Sequence, residues 1–387
     1  MKNAFQRGAE WLARIEIWLV AVSIAISMAW PRFLSAAVGV GLLFWLVRLV
    51  AYGHLSVRSP VDLSALLLVL MAPVSLYVSI LPEVTGVQLL RLISGLVLFY
   101  AVINWTRDRR RLMLLISGTA GVGFLLALTA PISVQWTVAK LPVLPSGLYD
   151  QFVLLFSDWV HPNVLAGTLV ILLPIPYCML LFNWREISWL ERIVHFLATI
   201  TMSLIIVLTQ SRGAWIALGA VLVISLVLRW RWGWLGLVLT GLLATGAIYQ
   251  FGINTITQAL ASNPSLGDIN GRVEIWSRAL LMIQDFPLSG IGTGLFTRIA
   301  DLLYPFYTVV KSDLNHAHNL FLQIGVDLGI PGLVAWLSIL VLILVLSWQL
   351  YSKGRSASSW AAGLGAGLLL SQFALILHGL TDSVTWG

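Results

Sequence analysis

The chain has 387 residues, of which 59% are hydrophobic and only 10% are charged. Soluble globular domains carry about 25% charged residues, so this composition excludes a soluble domain and predicts an integral membrane protein in contact with membrane lipid. The formal net charge of +7 follows from the basic ends of membrane-spanning segments. Nucleic acid is therefore not expected as a partner.

Apolar runs along the chain predict about eleven to twelve spanning helices. A helix needs about 20 apolar residues to cross a hydrocarbon layer about 30 Å thick. Eleven runs approach this length. We expect them to form one all-α transmembrane domain over residues 1–387, and a twelfth helix to be missing from this sequence. The runs lie near 16–30, 33–51, 62–80, 86–104, 112–130, 163–183, 193–209, 213–229, 233–251, 333–350 and 358–380.

The distribution of basic residues predicts the orientation. Most of the 23 lysines and arginines fall in segments on the same side as the N-terminus, such as the run Arg107–Arg111. Basic loops stay in the cytoplasm, so we expect a multi-pass protein with a cytoplasmic N-terminus. The two longer connections, 131–162 and 252–317, then lie on the outer side, and helical periodicity in the second predicts short amphipathic helices.

Two histidines precede a hydrophobic stretch that ends in a Gly-Ile-Pro-Gly sequence. Asn315 is a suitable N-cap, so we predict a helix from His316 to Leu328 with a hinge at Gly329–Gly332. At about 1.5 Å per residue, this helix is too short to span a membrane. Its N-terminus would bind an anion and would keep a histidine such as His318 neutral, available as a base.

A second interpretation of the same stretch is a half-buried helix with one polar face. Its polar residues would be His316, Asn319, Gln323 and Asp327. No set of His, Cys and carboxylate residues has the spacing of metal ligands, so neither a metal nor a cofactor is expected.

Three arginines are candidates for binding an anionic ligand. Arg272 projects from the apolar side of a predicted helix, which is costly unless an anion meets it or the side chain snorkels. Arg212 lies in a turn between two spans, where it can grip an oxyanion or anchor to lipid headgroups. Arg91 is the only basic residue clearly within a span, and charged residues there are functional candidates by default.

Two weaker candidate positions lie at other outer span ends. His161 and Asn163 can contact a polar ligand, although helix-start chemistry also explains the sequence around Pro162. His378 and Asp382 are four residues apart in sequence, and we expect them to orient one another rather than to catalyse.

Outward-facing arginines next to a histidine form a diphosphate clamp beside a proton acceptor. If a sugar leaves from a lipid diphosphate, an enzyme need only stabilise the growing charge and deprotonate the incoming hydroxyl. Such a reaction requires neither a metal nor a nucleotide-binding fold.

Several motifs resemble the O-antigen ligase and polymerase superfamily. His318-Asn319, nine further residues and Gly329-x-x-Gly332 are similar to its H-N-x9-G-x-x-G signature. The similarity runs from about residue 160 to the end. Four further segments resemble other conserved motifs of this superfamily: Thr209–Trp215, Pro162–Ala166, Arg272–Trp276 and Gly290–Gly294.

The resemblance implies a metal-independent, inverting glycosyltransferase with an all-helical, GT-C-like membrane fold. It would transfer a glycan from undecaprenyl diphosphate to an acceptor hydroxyl on the periplasmic side of a bacterial inner membrane, in lipopolysaccharide biosynthesis. Arg212 and Arg272 would bind the diphosphate and His318 would be the base, although the polar helix face favours His316. The further substrate-binding residues that we predict are Arg91, His161, Asn163, His316 and Asn319.

Three functions remain open at this level. A ligase would use a sugar of the lipid A core as acceptor, whereas a polymerase would use a second lipid-linked glycan, and we favour the ligase. An inorganic-carbon transporter is the alternative from another class. Transport calls for polar residues through the midplane of the membrane, where this chain has few.

Overall fold

The computed structural model describes residues 4–136, 149, 152, 154–155, 160–252, 269–307, 316–357, 360–383 and 386. Within these residues the secondary structure is helical, apart from an isolated β-bridge between Val134 and Val160. The α-helices are α1 (Ala4–Ala29), α2 (Leu34–Tyr52), α3 (Asp62–Val78), α4 (Pro82–Trp105), α5 (Arg109–Ser133), α6 (Pro162–Leu172), α7 (Pro174–Asn183), α8 (Trp189–Leu208), α9 (Arg212–Arg229), α10 (Trp234–Phe251), α11 (Ile269–Asp285), α12 (Phe296–Leu303), α13 (Leu320–Ser356) and α14 (Ala361–Gly379).

The helices confirm an all-α, polytopic membrane protein. Nine helical segments in the described residues are long and apolar enough to cross a membrane, with α6 and α7 counted together. The shorter apolar helices α3 and α10 correspond to the predicted runs 62–80 and 233–251. In the connection 252–317, α11 and α12 are the expected short helices, while residues 253–268 and 308–315 lie outside the described part of the chain.

The chain forms two compact units. The first comprises Met1–Leu115, Met282–Ile299 and Ile324–Ile339. The second comprises Ile116–Leu281, Ala300–Gln323 and Leu340–Gly387. Helices α5, α11, α12 and α13 each contribute to both.

The first unit packs α1, α2 and α4 around an apolar core and a buried ion pair. Gly41 of α2 lies against Val97 of α4, where a side chain would collide. Arg48 lies 3.1 Å from Glu16, both side chains are almost fully buried, and the Arg48 guanidinium also donates to the Tyr100 carbonyl. The expectation that Arg91 is the only basic residue within a span was therefore wrong, because Arg48 is kept inside by a carboxylate from the neighbouring helix.

A glycine-rich loop and a helix break complete the first unit. In the loop, Gly290 has a φ of 65°, which is accessible to glycine at little cost, and the Thr293 N–H donates to the Ser75 hydroxyl. In α13, Gly329 has a φ of 67° and interrupts the helix, while the next N–H, of Ile330, donates to the Pro287 carbonyl at 2.7 Å. The predicted hinge is thus confirmed, and the Gly290–Gly294 motif has a structural explanation.

The second unit packs α14 closely against α6, α7 and α9. Small residues of α14 allow this approach: a Cβ on Gly363 would meet the Asn183 side chain, and one on Gly367 would lie 3.0 Å from Ile175. The Ser371 hydroxyl donates to the Ile171 carbonyl at 2.7 Å. This packing brings the C-terminal end of α14 against the N-terminal end of α9.

Candidate functional site

A fixed turn presents Arg212 at the N-terminus of α9. Gln210 is in the left-handed region with a φ of 51°, and its side-chain amide donates to the Tyr149 hydroxyl at 2.6 Å. That hydroxyl donates to the Leu208 carbonyl at 2.8 Å. Ser211 is the N-cap residue, but its side chain makes no capping bond. The Ser211 side chain therefore does not occupy the first N–H groups of α9, and a helix N-terminus of this kind can receive an oxyanion.

Gly213 brings the segment after α14 onto this helix N-terminus. A Cβ at Gly213 would lie 2.3 Å from the Thr381 hydroxyl oxygen, so the close approach requires glycine. The Thr381 carbonyl accepts a hydrogen bond of 2.8 Å from the Arg272 guanidinium. The charges of Arg212 and Arg272 repel one another. Both guanidinium groups thus border the same turn, and an anion between them would remove their repulsion.

Arg272 is held by protein groups and does not snorkel toward solvent. Besides its bond to Thr381, it interacts electrostatically with the Asp382 carboxylate. Burial lowers the pKa of Arg272, and Asp382 opposes that shift. This guanidinium is therefore partly desolvated, a state in which electrostatic interactions with an anionic ligand are strong.

The helix that follows the histidines begins four residues later than expected. It starts at Leu320, and the Asn319 side chain accepts hydrogen bonds from the N–H groups of Phe321 and Leu322. His318 has a φ of 48°, outside the right-handed helical region. The prediction of a helix starting at His316 was therefore wrong, and Asn315, its expected cap, lies outside the described residues.

The two histidines lie in front of the helix and share a buried carboxylate. His316 Nε2 is 3.4 Å from Asp382 Oδ1, and His318 Nδ1 is 3.9 Å from the same oxygen. The two imidazole centroids are 4.3 Å apart. The Asn319 side-chain amide donates to the Leu380 carbonyl at 3.3 Å, which ties the segment to the end of α14. The histidines and Arg272 therefore meet at residues 380–382.

Electrostatics keep both imidazoles neutral near pH 7. Burial first, and then the neighbouring His316, lower the pKa of His318 from 6.5 to about 4. Arg272 acts in the same direction, whereas Asp382 opposes the shift. Burial also lowers the pKa of His316. Each ring therefore retains a lone pair that can accept a hydrogen bond or a proton.

The remaining predicted residues fall at different places. His161 is the N-cap of α6, where its Nδ1 accepts a hydrogen bond from the Asn163 N–H at 3.2 Å, and it contributes to the electrostatics of His318. Arg91 belongs to the first unit, where it is exposed and donates to the Gln88 side chain at 3.1 Å. The second unit thus contains every predicted site residue except Arg91.

His316, His318 and Asp382 also have the composition of a metal-ligand set, with ligand atoms within 4.8 Å of one another. The His318 N–H donates to His316 Nδ1 at 3.1 Å, so the proton of the neutral ring is on Nε2, which faces Asp382. Metal binding through that Nε2 would require a change of tautomer and the loss of the backbone hydrogen bond. The two histidines are joined by this backbone hydrogen bond, and their contacts with Asp382 are electrostatic.

One comparison with known proteins gives a match to a family model. Residues 197–337 match the family model described as O-antigen ligase. A search of the curated proteins found no match to this chain. The O-antigen ligase match includes Arg212, Arg272 and His318, and it confirms the resemblance that their motifs indicated.

Asp382 lies next to the two histidines in addition to His378, the partner that its spacing predicted. It lies beyond the O-antigen ligase match, and its separation of four residues from His378 suggested a pair on one helix face. Helix α14 ends at Gly379, where a Cβ would lie 3.2 Å from the Leu320 side chain. Asp382 keeps the helical spacing, because its N–H donates to the His378 carbonyl at 3.0 Å, and its carboxylate interacts electrostatically with His378 as well as with His316 and His318.

Proposed function

We propose that this chain is an O-antigen ligase-type membrane glycosyltransferase. It would transfer a glycan from undecaprenyl diphosphate to the hydroxyl of an acceptor sugar on the periplasmic side of the bacterial inner membrane. The observation that carries the proposal is the convergence of Arg212, Arg272 and His318 on the turn at residues 380–382. The O-antigen ligase match over residues 197–337 supports the same reaction class.

The donor diphosphate would bind to the two guanidinium groups and to the N-terminus of α9. Arginine presents its N–H groups in a fixed fork that matches phosphate oxygens. Arg272 is already oriented by the Thr381 carbonyl at 2.8 Å, so little conformational entropy is lost on binding. As the glycosidic bond breaks, negative charge grows on the diphosphate, and the two guanidinium groups stabilise it.

His318 would accept the proton of the incoming hydroxyl. Its Nδ1 faces Asp382 at 3.9 Å, so a neutral ring with its proton on Nδ1 has Nε2 available as the base. The acceptor oxygen bonds to the anomeric carbon, its proton passes to His318, and the bond from that carbon to the diphosphate oxygen breaks. This is a single displacement, which inverts the anomeric configuration.

Donor binding would also strengthen the base. Burial, the neighbouring His316 and, to a smaller extent, Arg272 lower the pKa of His318 to about 4 in the unliganded site, which makes the imidazole a weak base. A bound diphosphate places negative charge beside Arg272 and compensates its field, which raises the pKa of His318 toward its ordinary value. The base would therefore become effective when the donor is in place.

A transfer assay with purified full-length protein tests this proposal. We expect Arg212→Ala, Arg272→Ala and His318→Ala each to reduce turnover of undecaprenyl diphosphate-linked glycan severely while leaving folded protein. Arg298→Ala and His54→Ala are matched controls, because both residues are exposed and lie outside the site; we expect them to keep wild-type turnover. Equal losses in the control variants would contradict the assignment.

Two further arms of the assay separate the alternatives. Activity should persist in a chelator, and strict dependence on added Mg²⁺ or Mn²⁺ would count against the arginine clamp. Supplying either a lipid A core acceptor or a second lipid-linked glycan distinguishes a ligase from a polymerase. Bicarbonate uptake by reconstituted vesicles that His318→Ala leaves unchanged would favour a transporter.

A further inference from the structure

We propose that the first unit contains a second, separate site, which binds the phosphate-bearing headgroup of an anionic phospholipid. A cavity of about 270 Å³ lies where the N-terminal part of α1 and the ends of α2 and α4 meet the start of α5. The lining residues are Glu10, Ala13, Arg14, Tyr52, Asn104, Arg107 and Arg111. Three guanidinium groups and one carboxylate give this lining an excess of positive charge.

Aromatic rings and backbone carbonyls hold two of the guanidinium groups in place. Arg107 lies 4.3 Å from the Tyr52 ring centroid, and its Nε donates to the Asn104 carbonyl at 3.1 Å. Arg111 lies 5.3 Å from the Trp105 ring centroid and donates to the Trp105 carbonyl at 2.9 Å. These contacts leave further N–H donors on each planar guanidinium, because arginine has five. The charges are therefore oriented before a ligand binds.

The start of α5 independently indicates an anionic ligand. This helix begins with Arg109, Arg110 and Arg111, and its first turn contains no acidic residue. A helix N-terminus carries partial positive charge, so cations there are unfavourable unless negative charge compensates them. Asp108 supplies part of that compensation, since it accepts from the Arg111 N–H at 2.9 Å and pairs with its guanidinium at 3.3 Å. An anionic ligand here would complement the basic sequence of this helix start.

The position of the cavity favours a lipid headgroup as the source of the phosphate. The apolar helices α1, α2, α4 and α5 are candidate membrane spans, and the cavity lies at their ends, where a membrane surface is expected. The Trp105 indole donates to the Arg14 carbonyl at 3.1 Å, and tryptophan and tyrosine are enriched at headgroup level. Basic pockets between membrane helices are suited to anionic headgroups.

Native mass spectrometry of the purified full chain tests this site. We expect wild-type protein to retain phosphatidylglycerol in preference to phosphatidylcholine, and Arg14→Gln/Arg107→Gln/Arg111→Gln to lose that preference. Affinity should fall about fivefold for each arginine replaced. The matched control is Arg58→Gln/Arg185→Gln/Arg231→Gln, which removes the same charge at exposed positions outside the cavity.

Two results of the mass spectrometry would overturn the proposal: wild-type protein that shows no preference for the anionic lipid, or a control variant that loses this preference to the same extent. A third would be equal thermal stabilisation of the protein by inorganic phosphate and by short-chain phosphatidylglycerol. The last result would mean that the site takes a free anion. If the triple variant does not fold, Arg14→Gln alone is decisive, because no side-chain contact of Arg14 supports the helix ends in the described structure. It should bind phosphatidylglycerol about fivefold more weakly.

Discussion

Two substitutions of His316 can distinguish the contact of its ring with the His318 backbone from its contact with Asp382. Nδ1 accepts a hydrogen bond from the His318 N–H at 3.1 Å, and Nε2 faces Asp382 at 3.4 Å. An asparagine at this position offers an oxygen close to that of Nδ1, whereas a glutamine reaches the position of Nε2. If His316 acts mainly by fixing the backbone of His318, His316→Asn should retain more activity than His316→Gln.

The expected magnitude follows from the backbone of His318. A residue other than glycine in the left-handed region costs about 1–2 kcal/mol, and His318 has a φ of 48°. The hydrogen bond from its N–H to His316 Nδ1 contributes a net stabilisation of about 1 kcal/mol. Without this bond the ratio of reactive to alternative backbone conformations should fall about fivefold. We therefore expect His316→Ala and His316→Gln to lower kcat by up to about fivefold, and His316→Asn to lower it less.

The assay is steady-state transfer from undecaprenyl diphosphate-linked glycan, with kcat and the donor KM measured separately. The donor KM should stay close to the wild-type value, because the substitutions leave Arg212 and Arg272 in place. If His316→Gln keeps more activity than His316→Asn, the hydrogen bond to the His318 backbone is not the main function of His316. The contact of its ring with Asp382 would then be the important one. A rise in donor KM without a change in kcat would instead make His316 a donor-binding residue.

Three other predictions concern the same site. The kcat/KM of the free enzyme should fall only as the pH drops toward about 4, because burial lowers the pKa of His318 to that value and protonation removes the base; an acid limb near 6.5 would contradict this. Asp382→Asn should move the acid limb to lower pH, since the carboxylate raises the pKa of His318. Gly213→Ala should reduce transfer, because its Cβ would lie 2.3 Å from the Thr381 hydroxyl, whereas Gly219→Ala on the same helix has open space and should behave as wild type.

The positions of the helices could be predicted from the sequence because hydropathy accumulates over a whole span. About 20 apolar residues are needed for each crossing, so single residues change the result little. Predictions about single residues were less successful. Arg48 lies near one end of its apolar run, where snorkelling is the ordinary expectation, yet Glu16 of the preceding helix lies 3.1 Å from it and keeps it buried. Such pairing depends on packing between helices, which hydropathy does not contain.

The start of the histidine-containing segment illustrates a second limit. Asn315 and Asn319 both satisfy the rule for an N-cap residue, so local preference does not distinguish them. Asn319 is the observed cap, and its side-chain amide donates to the Leu380 carbonyl at 3.3 Å. That partner lies far along the chain. A long-range hydrogen bond thus supports one of two locally equivalent helix starts, and with it the left-handed backbone of His318.

The same turn at the end of α14 explains why motifs could indicate the candidate arginines and the candidate base but not their arrangement. A motif records residue types close together in sequence, as in His318-Asn319 or the segment around Arg212. Residues 380–382 contact each of these segments through a carbonyl, a hydroxyl or a carboxylate. Most of these contacts use backbone atoms or small side chains, which carry little sequence signal. The geometry of the candidate site therefore depends on where α14 ends, and Gly379, its last residue, lies against Leu320 at the start of α13.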